Sequence, residues 1–255
     1  MDGEPVPAWL RELAGAARTM EVSPRLRPPA SGGRRSAVLV LFAAGPAGPD
    51  HPDLLFIQRS AGLRRHAGQP AFPGGVIDPA DAGPVAAALR EAAEEVGVDP
   101  GGVEVIATLP ELFIPPTGFL VVPVLAWWRR PSAVAPVDPA EVAAVERISV
   151  SELADPAVRL MMHRPHGIIL PAFRVRGLLI WGMTAAVVDR LLALAGWERP
   201  WDSAAVVDWP ELDGGNTTTA GRRIPGELFP ARRYRFCRPA PAALGCLPGA
   251  GVPGW

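Results

Sequence analysis

The stretch FPGGVIDPADAGPVAAALREAAEEVGV, residues 72–98, constrains this chain more than any other. It reads as a glycine-rich turn, a short loop and a helix. Pro84 suits the first helical turn, where a missing N–H costs nothing. Gly97 suits the left-handed residue that ends a helix. At about 100° per residue, Val85, Leu89, Ala92 and Val96 fall within about 40° of one line, a narrow apolar stripe. Glu91, Glu94 and Glu95 fall on the other side. One face is therefore expected to pack and the other to present three carboxylates.

That cluster carries a cost. Glu91 faces Glu94 at i+3 and Glu95 at i+4, and like pairs at these spacings destabilise a helix by about 0.2–0.5 kcal/mol each. Arg90, the one basic residue of the helix, offsets part of it. Two readings are open: a solvated acidic face, or a site for a hard divalent cation, which prefers oxygen ligands. Mg²⁺ or Mn²⁺ in such a site neutralises phosphate charge and lowers the pKa of an attacking water.

The order of the residues resembles the Nudix box, G-x5-E-x7-R-E-U-x-E-E-x-G-U. Here it runs G-x5-D-x8-R-E-A-x-E-E-x-G-V, through Gly75, Asp81, Arg90, Glu91, Ala92, Glu94, Glu95, Gly97 and Val98. It departs from the usual form in Asp81, in one extra loop residue and in the small Ala92. The REAxEExG half is intact. The resemblance implies an α/β fold, an α/β/α sandwich with a mixed sheet, and a diphosphohydrolase whose metal is held by Glu91, Glu94, Glu95 and the Gly75 carbonyl. It implies that Arg90 orients the carboxylates, and leaves open which Glu is the general base.

Upstream lies RSAGLRRHAGQPAFPGG, residues 59–75. Arg59, Arg64, Arg65, His66 and Gln69 put cations and hydrogen-bond donors just before the box. Arg binds phosphate through a planar, often bidentate fork, so a substrate with several phosphates suits them; a polar loop in an Arg-rich protein is the other reading. The pattern R-S-x3-R-x3-G-x3-F-P-G-G is similar to the signature of the coenzyme A pyrophosphatase branch. It falls on Arg59, Ser60, Arg64, Gly68, Phe72, Pro73, Gly74 and Gly75. His66, Gly68 and Gln69 match the H-x-G-Q variant, and Asp78 and Asp81 the D-x-x-D loop. Gln58 stands where that branch usually has Lys. Ile180-Trp181-Gly182-Met183-Thr184-Ala185 resembles its I-W-G-x-T-A segment. The resemblance implies a small nucleotide substrate, coenzyme A or its thioesters, gripped by Arg59, Arg64, His66 and Gln69.

The rest of the chain fits around this. Its 255 residues suit one large or two small domains. A formal charge of −1 offers no global basic field for nucleic acid or an anionic membrane. Lys is absent, so all 25 basic residues are Arg. The longest apolar runs are too short to span a bilayer, and MDGEPVPAWLREL lacks a basic stretch followed by an apolar one, so no secretory signal is expected there. Cys237 and Cys246 provide neither a disulfide framework nor metal-ligand spacing. A soluble cytoplasmic protein is the expectation, with oligomeric state open, a homodimer included.

In order, residues 1–35 read as a lead-in with a short helix over 8–17, and 36–199 as the Nudix domain. Strands are expected over 36–44, 53–59, 103–109, 119–128 and 173–181, with a turn over 45–52 and an irregular connector over 110–118. Trp127 and Trp128 read as packing residues, and His163 and His166 as loop histidines. Nudix enzymes often draw a further catalytic or metal-binding Glu from beyond the box: Glu141 is the candidate, Glu146 and Glu111 its rivals. A helix from 182 ends at Gly196. Residues 200–255 are rich in Pro and Gly, show no sustained period and read as a partly disordered extension.

Overall fold

The computed structural model describes residues 3–63, 66–115, 117–164, 168–204 and 206–208. At its centre β1 (Arg34–Gly45) and β7 (Phe119–Trp128) run parallel, in register from Arg34↔Phe119 to Phe42↔Trp127. Both are near-continuous apolar runs because both faces of their sheet are covered. Successive side chains point to opposite faces. Val38, Val40, Phe42 and Trp127 therefore join one core layer, and Leu39, Leu41, Ala126 and Trp128 the other. Trp127 and Trp128 are buried packing residues, as expected.

Antiparallel partners complete a mixed sheet. β2 (Gly48–Arg59) pairs with β1, β5 (Val103–Thr108) and β6 (Leu112–Ile114) with β7, and β8 (Val142–Ser149) with β2. One face packs against α2 (Pro84–Val96) through Ala87, Ala88, Ala92 and Val96. The other packs against α1 (Ala8–Arg18) and α4 (Gly182–Leu194). This is the α/β/α sandwich. α3 (Val150–Leu153) follows β8 and starts from a capping box between Ser149 and Glu152.

A second sheet has the order β11-β10-β9-β12, from β9 (Arg159–Arg164), β10 (Ile168–Val175), β11 (Leu178–Ile180) and β12 (Val206–Asp208). The single strand expected over 173–181 is thus a hairpin. Arg176 and Gly177 both take left-handed φ, 51° and 76°, and turn the chain back; an arginine at such a position gives no turn signal in sequence. His163 lies in β9, its Nδ1 3.3 Å from Asp208 Oδ1, rather than in a loop. His166 is outside the described residues. β12 falls within the extension, where three residues are too few to show a period; the rest of that extension beyond residue 208 is outside the described residues.

The turn expected over 45–52 contracts to Pro46-Ala47, with strand on both sides. β6 forms inside the connector expected to be irregular. The N-terminal helix does more than lead in. Leu10, Leu13, Ala14 and Ala17 are buried in the core layer opposite α2. Trp9 meets Phe42, Trp127 and Trp197 edge-on, with ring centroids 5.4, 6.0 and 5.0 Å apart. Replacing Leu10 by Ala is expected to lower unfolding free energy by about 2–5 kcal/mol, read from urea denaturation. A loss below about 0.5 kcal/mol, the range of surface changes, would show that the helix adds little to this core.

One feature of the sheet positions the site. β1 pairs with β2 from Phe42 to Gly45, but at Ser36–Val38 its partner is β4 (Gly74–Val76). β2 meets β3 (Pro70–Ala71) at Ile57 and Gln58. Residues 70–76 are thus inserted where β1 and β2 diverge, and lead into the loop before α2.

Candidate active site

Two adjacent glycines build the entrance to the box, for different reasons. Gly74 has φ 155°, and a Cβ there would strike the Ala37 carbonyl oxygen and sit 2.6 Å from Val38 Cα. Only a glycine lets this strand lie so close to β1. A Cβ on Gly75 would instead overlap the Glu91 carboxylate, 2.6 Å from its Oε2. The chain then loops to Pro84, which begins α2, and Gly97 closes the helix at φ 75° with its N–H donating to Ala93 O at 3.0 Å. Both helix ends fall where the sequence puts them.

The three box carboxylates have three environments. Glu94 is exposed and accepts from Arg90 Nη1 at 2.8 Å. Glu91 is half-buried, its Oε1 3.1 Å from Arg90 Nη1. Burial pushes the Glu91 carboxyl up, and Arg90 draws it back. Glu95 is only 9% exposed, on the same side of α2 as Ala88, Ala92 and Val96. This corrects the expectation of one packing face and one carboxylate face: the buried arc is turned away from Val85 and takes in Glu95. The Gly74 N–H, donating to Glu95 Oε2 at 2.9 Å, gives that carboxylate a partner below the surface. Burial pushes the Glu95 carboxyl up to about 7; the Gly74 N–H and the Arg59 charge pull it down, while Glu91 and Glu141 repel it.

Arg90 holds the helix to its loop. Its Nε and Nη2 donate to Asp81 Oδ1 and Oδ2, both at 3.0 Å, and Nη2 also donates to Val76 O at 3.1 Å. The fork, with the Asp78 N–H at 2.8 Å, holds the Asp81 carboxyl below the usual carboxylate range. Asp81 was legible only as a member of the box; its spacing from Arg90 carries no contact by itself. Arg90→Lys retains the charge but not a fork that reaches Asp81, Val76 and Glu94 together. The expected result is a loss of about 10–100-fold in activity, with more divalent cation needed for half-maximal rate. An unchanged divalent-cation titration would show that Arg90 does not govern the carboxylates.

Among the described residues no three acidic, His or Cys side chains converge into a metal-ligating group; Arg90 stands against Glu91 and Glu94. The donor chemistry nevertheless fits a hard cation. Glu95 is a buried carboxylate with one N–H donor and no ion pair among the described residues, and Glu91 adds a second negative charge beside it.

The loop before the box closes on itself. Arg59 N–H donates to Gln69 O at 3.0 Å, and Gly68 N–H to Arg59 O at 3.1 Å. His66 Nδ1 and Gln69 Oε1 are 2.9 Å apart, so these two side chains engage each other. Arg59 Nε is buried with no hydrogen-bond partner among the described residues, and its charge reaches Glu95. Arg64 and Arg65 lie outside the described residues. Of the three candidate Glu outside the box, Glu141 lies near the box carboxylates: its carbonyl accepts from Ser60 N–H at 2.8 Å and its charge repels Glu95. Glu146 lies 4.0 Å from Arg176, and Glu111 3.5 Å from Arg35.

A mixed sheet split by a Gly-Gly strand, with a carboxylate helix fastened through Arg90, defines a hydrolase of the Nudix type. The NUDIX domain model matches residues 33–173. A Citrobacter koseri protein named uncharacterized Nudix hydrolase NudL is 42% identical over 185 residues, covering 69% of this chain and 91% of the relative. The Escherichia coli K12 protein of the same name is 38% identical over 170 residues, 64% of this chain and 83% of the relative. The crystal structure of RenU, a Nudix hydrolase from M. smegmatis, aligns with a TM-score of 0.47 at 21% identity, over 71% of this chain and 99% of that one. The chain belongs to the Nudix hydrolase family, whose members act on diphosphate bonds and generally use divalent cations. No helix among the described residues is long and apolar enough to cross a membrane.

Proposed function

We propose that this enzyme hydrolyses the diphosphate of coenzyme A or its thioesters, giving 3′,5′-ADP and 4′-phosphopantetheine or its acyl form. The observation that carries the reading is Arg59. It belongs to the segment resembling the coenzyme A pyrophosphatase signature, and its buried Nε, near the carboxylate helix, has no hydrogen-bond partner among the described residues. A cation so placed suits a substrate phosphate. His66 and Gln69, from the same loop, extend the phosphate-binding set, and Arg64 joins them on the resemblance alone.

Glu91, Glu94, Glu95 and the Gly75 carbonyl would hold Mg²⁺ or Mn²⁺. When bound, the cation neutralises phosphate charge and lowers the pKa of the attacking water. Arg90 fixes the carboxylates against Asp81, and Glu141 adds a carboxylate from outside the box that can take the water's proton.

Product analysis tests this. Purified protein is incubated with Mg²⁺ or Mn²⁺ and, separately, coenzyme A, ADP-ribose, NADH and a nucleoside triphosphate. Release of 3′,5′-ADP from coenzyme A is the expected result. Cleavage of ADP-ribose or a dinucleotide instead would replace the substrate and keep the site. Binding of a nucleotide with no cleavage would make the protein a sensor.

A further inference from the structure

The connector between β7 and β8 runs along the last turn of α2. Ala135 N–H donates to Val96 O at 3.2 Å and Val137 N–H to Glu95 O at 3.0 Å, so the connector satisfies carbonyls that a helix end leaves open. It then turns at Asp138-Pro139-Ala140-Glu141. Asp138 makes this turn with two of its own oxygens. Its Oδ1 accepts from Ala140 N–H at 2.8 Å, and its carbonyl accepts from Glu141 N–H at 3.0 Å and Val142 N–H at 2.9 Å. Asp at the first position followed by Pro is the favoured composition of a type I turn. Glu141 emerges from it bonded through its carbonyl to Ser60 N–H, next to Arg59. The same short segment is therefore fastened to the carboxylate helix at one end and to the phosphate-binding loop at the other.

We infer that Asp138 is a positioning residue for the reaction: it folds the turn that delivers Glu141 to the site, and so sets turnover through Glu141. This rests on the reading of Glu141 as a catalytic carboxylate from outside the box. Asp138 is exposed and its bonds are local, so nothing in the core depends on it. What its side chain supplies is an acceptor oxygen rather than a charge. Asn retains that oxygen and Ala does not.

The experiment compares full-length D138A, D138N, E141Q and the D138A/E141Q double variant. kcat and KM are measured with coenzyme A, or with whichever diphosphate the product analysis identifies, and thermal midpoints are taken beside them. D138A is expected to lower kcat by about 10–100-fold, the scale of a displaced catalytic group, with KM and midpoint unchanged. D138N recovers most of the rate, and the double variant is no slower than E141Q alone. If E141Q is impaired while D138A turns over normally, the inference fails and the role of Glu141 stands. If E141Q is unimpaired, both fail. Losses that multiply in the double variant would show that Asp138 acts independently of Glu141, and an early-melting D138A would show that its bonds serve the fold. Either result overturns the inference.

Discussion

Glu95→Gln lowers kcat by about 10²–10⁴-fold, the range expected when a general base or its equivalent is removed, and leaves the thermal midpoint where it was. The two halves of this expectation have separate causes. Glu95 is the most buried of the box carboxylates, and Glu91 and Glu141 place further negative charge around it. Held this way without an ion pair among the described residues, it has the surroundings of a ligand or a base rather than of a stabilising group. The Gln side chain has nearly the same shape, and its carbonyl oxygen still accepts from Gly74 N–H, which lies 2.9 Å from the native carboxylate. The fold therefore loses little. Steady-state turnover of the diphosphate substrate and a thermal melt of the same preparation check both halves. A rate within about threefold of the native one would remove Glu95 from the chemistry, on the scale of a single kcal/mol or less. A collapsed midpoint would mean that the lost rate is lost structure.

Much of the fold is legible because its signals are local. Pro84 and Gly97 bound α2 at the positions their backbone preferences demand. The runs that become β1 and β7 are apolar on both faces because α2 covers one side and α1 with α4 the other. What is not legible depends on distant partners. The helical pattern of residues 8–17 says that a helix forms, not that Leu10 and Trp9 will meet Phe42 and Trp127. A helical wheel puts Glu95 with the other carboxylates, because the Gly74 N–H that lets it turn inward is 21 residues away. Arg176 looks like any arginine until its left-handed φ turns β10 into β11.

The site divides the same way. The box order singles out Arg90 and its three Glu as candidates, but Asp81 becomes the anchor of Arg90 only through a fork across the loop. Glu141, Glu146 and Glu111 are alike in sequence. They differ in their surroundings: the Glu141 carbonyl accepts from Ser60 N–H, next to Arg59, whereas Glu146 lies 4.0 Å from Arg176 and Glu111 3.5 Å from Arg35.

The paired glycines give the sharpest contrast between structure and chemistry, and alanine at each is expected to fail differently. Gly74→Ala destabilises the fold by about 2–5 kcal/mol, summing backbone strain at a positive φ with overpacking. Its Cβ meets the Ala37 carbonyl and Val38 Cα, backbone atoms of the central strand that cannot move alone. Gly75→Ala meets first the end of the Glu91 side chain, which can rotate away. Stability then changes by less than about 1 kcal/mol, within the range of mild substitutions. The displaced carboxylate leaves the position from which it would serve the metal, and a shift of that size costs about 10²-fold in rate. Denaturant titration and steady-state kinetics on both variants separate the cases. The assignment of Gly75 to the site fails if Gly75→Ala retains native turnover, since Glu91 would then be free to leave without consequence. The account of the split sheet fails if Gly74→Ala melts with the native protein, since the close approach of β4 to β1 would then not require the missing side chain.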